Sequence, residues 1–248
     1  MRQRDGIGRR FRDLRLHADF HGKELLMEYW LVIPAVILVL LGIIWIAVRF
    51  EKKRGKSMKA QAVRLGWSYA PKAGLSDIPS ADAFHLFNIG RSRRVKNLMQ
   101  GGGEDLHTAV YDYQYTVGGG QSSHTVSQTV FQFQSARLNL PAFILKPENV
   151  FHKIGQSFGY QDIDFDSYPE FSKRYLLRGG DEERIRKLFN PDMLVRFESE
   201  EKGLVVEAGS QILICYRSGK RVKPEALYRS FEHMRSLYDL FVRRMDYV

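Results

Sequence analysis

The chain has 248 residues, 44% hydrophobic and 27% charged, with a formal charge of +10. This composition excludes a disordered or collagen-like chain and leaves room for an anchor followed by one large or two small domains. A single cysteine, Cys215, excludes an intramolecular disulfide and suits a reducing compartment.

Residues 1–28 hold seven Lys or Arg and five acids. Two readings of this extension stand side by side. Met27 directly precedes the apolar run and offers a second start, which makes residues 1–26 a misassigned leader. Alternatively, the extension is a basic amphipathic segment that lies on a membrane or meets acidic partners.

Tyr29 to Val48 follow as twenty uncharged residues, thirteen of them Ile, Leu or Val. At about 1.5 Å per helical residue the run matches roughly 30 Å of hydrocarbon, and its aliphatic residues favour insertion by roughly 4 to 8 kcal/mol. Trp30 and Trp45 stand near the two ends, where interfacial aromatics belong. The run ends in Arg49-Phe50-Glu51-Lys52-Lys53-Arg54 rather than in a small-residue cleavage site, so it predicts a single-pass transmembrane helix over 29–48. Pro34 lies in its first two turns, where lipid-embedded helices tolerate a kink.

Residues 49–59 form a basic juxtamembrane segment that contributes +5 of the net charge, against +2 from residues 1–48 and +3 from residues 60–248. The positive-inside rule then places the C-terminal domain in the cytoplasm, on the inner face of a cell membrane. Anionic lipid headgroups reward such a cluster by about 1 kcal/mol per basic residue, which makes Arg49, Lys52, Lys53 and Arg54 candidate lipid contacts and nucleic acid an unlikely partner.

Residues 60–248 read as an α+β domain of antiparallel β-hairpins packed with helices; two subdomains parting near 150–170 are the alternative. A short helix from Met58 to Leu65 stops at Gly66, Trp67-Ser68-Tyr69 is a strand, and Pro71 to Ser80 is a loop. Val95–Met99, Leu106–Val117 and His124–Gln134 are strands, the last two a long hairpin about 118–123. Tyr111, Tyr113 and Tyr115 share one strand face, and Phe131 and Phe133 alternate likewise on the partner. These aromatics read as a buried sheet face, with Arg91-Ser92-Arg93-Arg94-Val95-Lys96 as a solvated turn beside it; a base-stacking platform is the sharper reading. Asn97, Asp112 and Gln128 are polar positions inside these strands.

Phe143-Ile144-Leu145 adds a short strand. The acidic run Asp162, Asp164 and Asp166 imitates half of a calcium loop, but Ser167 replaces the turn glycine and Lys173 the closing glutamate, so a half-buried strand or edge is expected there. Tyr175-Leu176-Leu177 is strand-like. Asp181 caps a helix over Glu182 to Phe189, and Pro191 to Phe197 forms another. Residues 203–207 and 211–216 make a second hairpin, with Cys215 as a core residue. Pro224 opens a final helix to about Met245, whose apolar seam Leu227, Phe231, Met234, Tyr238, Phe241 and Met245 suits packing on its own sheet.

The chain lacks GxSxG, HExxH, CxxC and GxxxxGK[ST], and its histidines lack ligand spacing, so no catalytic residue, metal or cofactor is expected. The stretch GRSRRVKNLMQGGGEDLHTAVYDYQYTVGGGQSSHTVSQTVFQF, followed after about forty residues by EFSKRYLLRGGDEERIRKLFNPDM, resembles an uncharacterised bacterial membrane-anchored protein family. The resemblance covers roughly residues 60–244. It implies an N-terminal transmembrane helix and a cytoplasmic α+β domain, and carries no established activity. The functional expectation is a non-enzymatic membrane-anchored interaction or scaffold module with an unknown protein partner. Its alternative is a tethered sensor that takes an anionic small molecule or lipid headgroup through Arg91, Arg93, Arg94 and Lys96.

Overall fold

The computed structural model describes residues 5–148 and 161–245. The chain divides into two compact units, Met1–Arg54 and Gly55–Val248. The first belongs to a helix, α1 (Asp5–Arg64), that runs through Pro34. Among the described residues one helical span is long and apolar enough to cross a bilayer, Val32–Arg64, with a mean hydropathy of 2.6 and none of its apolar window buried. At the end of the apolar run the Arg49 guanidinium lies 5.4 Å from the centre of the Trp45 ring, a cation–π contact.

The second unit starts with the last turns of the same helix, where Met58 and Ala62 are fully buried. Gly66, at φ +69°, ends it as the sequence expects, and the Trp67 amide closes the last turn by donating to the Ala62 carbonyl at 2.8 Å. Eight strands follow: β1 (Ser68–Ala73), β2 (Arg91–Gly102), β3 (His107–Val117), β4 (His124–Gln134), β5 (Leu140–Pro147), β6 (Tyr175–Gly179), β7 (Leu204–Ser210) and β8 (Ile212–Arg217). They form one antiparallel sheet in the order β1-β2-β3-β4-β8-β7-β5-β6. Between them lie the helices α2 (His85–Asn88), α3 (Pro169–Arg174), α4 (Glu182–Leu188), α5 (Pro191–Glu198) and α6 (Leu227–Met245). The α+β class read from the sequence is the fold observed.

Strand alternation sorts the core onto two faces. On one face Val110, Phe131, Phe133, Phe143, Leu213 and Cys215 pack against α3 to α6 and against Met58 and Ala62. Phe133 stacks on Phe231 and Tyr238 with ring centres 6.2 and 5.4 Å apart, so the seam of α6 is spent on its own sheet. On the other face Tyr111, Tyr113, Tyr115, Ile144 and Ile214 are covered by residues 78–89, including Phe84, Leu86 and Phe87. The three tyrosines are at most 1% exposed, which removes the base-stacking platform.

Three expectations are corrected. The basic run 91–96 is the opening of β2 rather than a turn, because Arg91 and Arg94 pair with Thr116 and Gln114 of β3 around a register shift. The loop read from Pro71 to Ser80 starts later, since β1 continues to Ala73; Pro71 is tolerated there because β1 is an edge strand. Residues 162–166 form no strand. The Ile163 amide donates to the Leu177 carbonyl at 2.8 Å beside β6, and alternate acids on a solvent-facing edge add no ladder partner.

Candidate functional site

The four cations of the 91–96 run have unequal roles. Arg91 donates through Nη1 to the Gly118 carbonyl at the hairpin tip. Arg93 donates to the carbonyls of Phe87 at 2.6 Å and Gly90 at 3.3 Å, fastening the segment that covers the tyrosine face. Ser92 takes φ +54°, and that left-handed residue sits between the two arginines that reach to different loops. Arg94 and Lys96 lie opposite Gln114 and Asp112 on the other sheet face, and Lys96 pairs in register with Lys72 of β1. Arg49, Lys52, Lys53 and Arg54 belong to the first compact unit, with Lys52 and Lys53 exposed.

Asn97 and Asp112 converge, and Gln128 does not join them. Asn97 adopts φ +52° at a register shift of β2, a conformation its short amide side chain tolerates. The Tyr69 hydroxyl donates to Asn97 Oδ1 at 2.8 Å, Asn97 Nδ2 to Asp112 Oδ2 at 2.9 Å, and Thr129 Oγ1 to Asp112 Oδ1 at 2.9 Å. The Val222 amide donates in turn to Thr129 Oγ1 at 2.9 Å. This chain of bonds, buried at its two central links through Asp112, ties β1 to the loop after β8 and leaves Asp112 serving structure. Gln128 faces the tyrosine side, where its Oε1 accepts from the Gly219 amide at 3.0 Å.

The same loop forms one wall of a cavity of about 480 Å³ against Thr129 and Phe131 of β4 and the first turns of α6. Arg217, Lys220, Arg221, Lys223 and Arg229 line it, with Glu201 as the one acid among the described residues. Arg217 sits 3.1 Å from the Glu201 carboxylate and donates to the Glu201 carbonyl at 3.0 Å. Phe131, Val222 and Met234 supply apolar wall, and His233 is held by buried Glu200, Nε2 to Oε2 at 2.8 Å. Lys220, Lys223 and Arg229 are exposed and form no ion pair among the described residues. The sequence reading passed over this site. Its signal is Arg217-Ser218-Gly219-Lys220-Arg221-Val222-Lys223, four cations in seven residues, with Arg229 following on the first turns of α6.

A second polar group lies beneath α2. Glu207, 2% exposed on β7, accepts from the Tyr216 hydroxyl at 2.8 Å and from the Leu86 amide at 3.2 Å. Burial pushes its carboxyl up to about 7. Burial first, and the Lys146 ammonium second, pull His85 down to about 4. Lys146 is 4% exposed and lowered, chiefly by burial. Glu207 was readable as a charge at an inward strand position, two residues from Val205.

Cys215 is fully buried, and burial pushes its thiol far above the ordinary range, as the core reading expects. Among the described residues no group of three His, Cys, Asp or Glu side chains is placed to hold a metal ion. Asp162 pairs with Arg178, and the Asp164 carbonyl accepts from Arg186 at 2.7 Å, so part of the acidic run is committed to neighbouring elements.

Fold and site together define an α+β module with an apolar helix at its N-terminal side. No family model and no curated protein matches the sequence. Among solved structures, the crystal structure of the mycobacterial trehalose monomycolate transport factor A, TtfA, is similar at 9% identity with a TM-score of 0.46, over 77% of this chain and 90% of that one. A likeness at that level says nothing about what this chain does.

Proposed function

We propose that the chain is a non-enzymatic module tethered at the cytoplasmic face of a cell membrane, where its folded unit receives a partner. The observation that carries this reading is the short covalent distance between the anchor and the core. Val48 ends the apolar run and Met58 is already fully buried in the folded unit. The intervening chain spans at most roughly 35 Å even if fully extended. A domain so tethered stays within one small-protein diameter of the lipid surface, and the basic segment 49–59 adds electrostatic attraction to it.

The test is alkaline carbonate extraction of membranes combined with protease treatment of intact and lysed spheroplasts. The full-length chain should stay with the membrane pellet, and residues 60–248 should be digested only after lysis. Release into the supernatant, or digestion in intact cells, would overturn the reading. In-cell crosslinking followed by mass spectrometry then identifies the partner, and loss of that partner on deletion of 60–248 places recognition in the folded unit.

A sensor for an anionic ligand is the second reading. Arg94 and Lys96 favour it as exposed or half-buried cations on one sheet face, whereas Arg91 and Arg93 are spent on loop carbonyls. Replacing Arg94 and Lys96 by Gln should then reduce retention of anionic lipid in pull-downs, and unchanged retention would reject that surface.

A further inference from the structure

We propose that the cavity between the β8–α6 loop and the first turns of α6 binds the phosphate of an anionic ligand that also carries a small apolar portion. The inference deepens the tethered-module reading and rests on it only for where the ligand is met.

Charge is the first argument. Among the described residues five cations line the cavity against one acid, Glu201, and that acid is engaged by Arg217. Gathering like charges around a concavity opposes folding, and the exposed Lys220, Lys223 and Arg229 recover nothing through ion pairs among the described residues. A multiply charged anion offsets that repulsion, and phosphate is matched by arginine forks and lysine ammonium groups alike.

Preorganisation is the second argument. The loop is fixed before any ligand arrives: its Gly219 amide donates to Gln128 Oε1 at 3.0 Å, its Val222 amide to Thr129 Oγ1 at 2.9 Å, and the Thr129 amide to the Lys220 carbonyl at 3.2 Å. Binding therefore pays little backbone ordering entropy. The third argument is shape. About 480 Å³ admits a phosphate and roughly a dozen further heavy atoms, and the Phe131, Val222 and Met234 walls reward an apolar portion. Such a ligand is either the headgroup region of a phospholipid or a free phosphorylated small molecule.

The experiment uses the full-length chain in nonionic detergent, titrated calorimetrically with dihexanoyl phosphatidic acid, dihexanoyl phosphatidylcholine and inorganic phosphate. The phosphatidic acid should bind at least about tenfold more tightly than the zwitterionic lipid. The combined variant Lys220→Gln, Lys223→Gln, Arg229→Gln should lose at least about tenfold of that affinity. The equally charged control Arg137→Gln, Lys173→Gln, Lys187→Gln, at exposed cations away from the cavity and from the 91–96 run, should bind as the unmodified chain does, and Lys220→Arg with Lys223→Arg should retain binding. Competition by inorganic phosphate at similar concentration supports a free phosphorylated ligand, and competition only at far higher concentration supports a lipid. Equal losses in the two triple variants, no loss in the cavity variant, or equal binding of both lipids would overturn the proposal. Carbonate extraction of the same variants reads the tether independently, because none of the substitutions touches the apolar run.

Discussion

Glu207→Gln is expected to change the pH profile of stability more than its level. In the folded chain the Glu207 carboxyl titrates at about 7, raised by burial from an ordinary 4.5. Between those values the folded state holds a proton that the unfolded state has released, so stability falls as pH rises. The shift corresponds to about 3 kcal/mol over the interval. His85, lowered by burial and by Lys146 from 6.5 to about 4, works with the opposite sign. There the unfolded state holds the extra proton, and stability rises between about pH 4 and 6.5, by about 2 kcal/mol once solvent screening is allowed for. The slopes oppose each other, leaving the unmodified chain to fall by only about 1 kcal/mol from pH 4.5 to 6.5 and to decline more steeply from there to 7. Glutamine keeps an Oε1 acceptor for the Tyr216 hydroxyl and the Leu86 amide while removing the titration. Chemical denaturation of the full chain in mild detergent, followed by near-ultraviolet circular dichroism at four pH values from 4.5 to 7.5, reads the result. The variant should gain about 3 kcal/mol relative to the unmodified chain across that range, and His85→Gln should show a profile that falls more steeply than that of the unmodified chain, by about 2 kcal/mol over the range. Lys146, Arg178 and Asp162 are common to all three proteins and drop out of the comparison to first order. Profiles for Glu207→Gln and the unmodified chain that run parallel within about 0.5 kcal/mol would refute the reasoning.

Asp112→Ala leaves Asn97 Nδ2 and Thr129 Oγ1 without their carboxylate and should cost about 2 to 3 kcal/mol in the same denaturation assay; a loss below about 0.5 kcal/mol would show the buried chain of bonds to be dispensable. Gly101→Ala places a methyl 2.1 Å from Trp67 Cδ1, so the indole must leave its edge contact with Phe231, now 5.1 Å between ring centres. A red-shifted Trp67 emission, read in a background with Trp30 and Trp45 replaced by Phe, and a cost of about 1 to 3 kcal/mol are expected, whereas an unshifted spectrum would contradict the packing. Cys215 should resist maleimide in the native chain and react stoichiometrically in denaturant, and rapid native labelling would contradict its burial. Phe241→Ala removes a fully buried ring lying 5.9 Å from Phe143 and 6.3 Å from Phe189, at a cost of about 3 to 5 kcal/mol by thermal unfolding.

Local rules carried much of the fold. The β3–β4 hairpin was legible because residues 111, 113 and 115 alternate with less bulky or polar neighbours and a glycine-rich tip sets the register, which the pairing of Tyr113 with Gln128 reproduces. The seam of α6 was legible for the same reason, as its residues recur at steps of three and four and five of the six are buried. Strand order was not legible, because the pairing of β4 with β8 joins segments about eighty residues apart and no nearest-neighbour signal announces it. That one pairing decides the site. It sets residues 217–223 beside Thr129 and Phe131 and lets α6 return over them, so cations spread over more than a dozen sequence positions surround one concavity. The denser run 91–96 met a different fate: the shift in β2 and the left-handed Ser92 turn Arg91 and Arg93 toward loop carbonyls, and half of its charge became fastening. Charge density along the chain therefore located cations without telling which of them the fold consumes. That distinction arises where long side chains meet carbonyls contributed by distant turns, and only the three-dimensional pairing of strands supplies it.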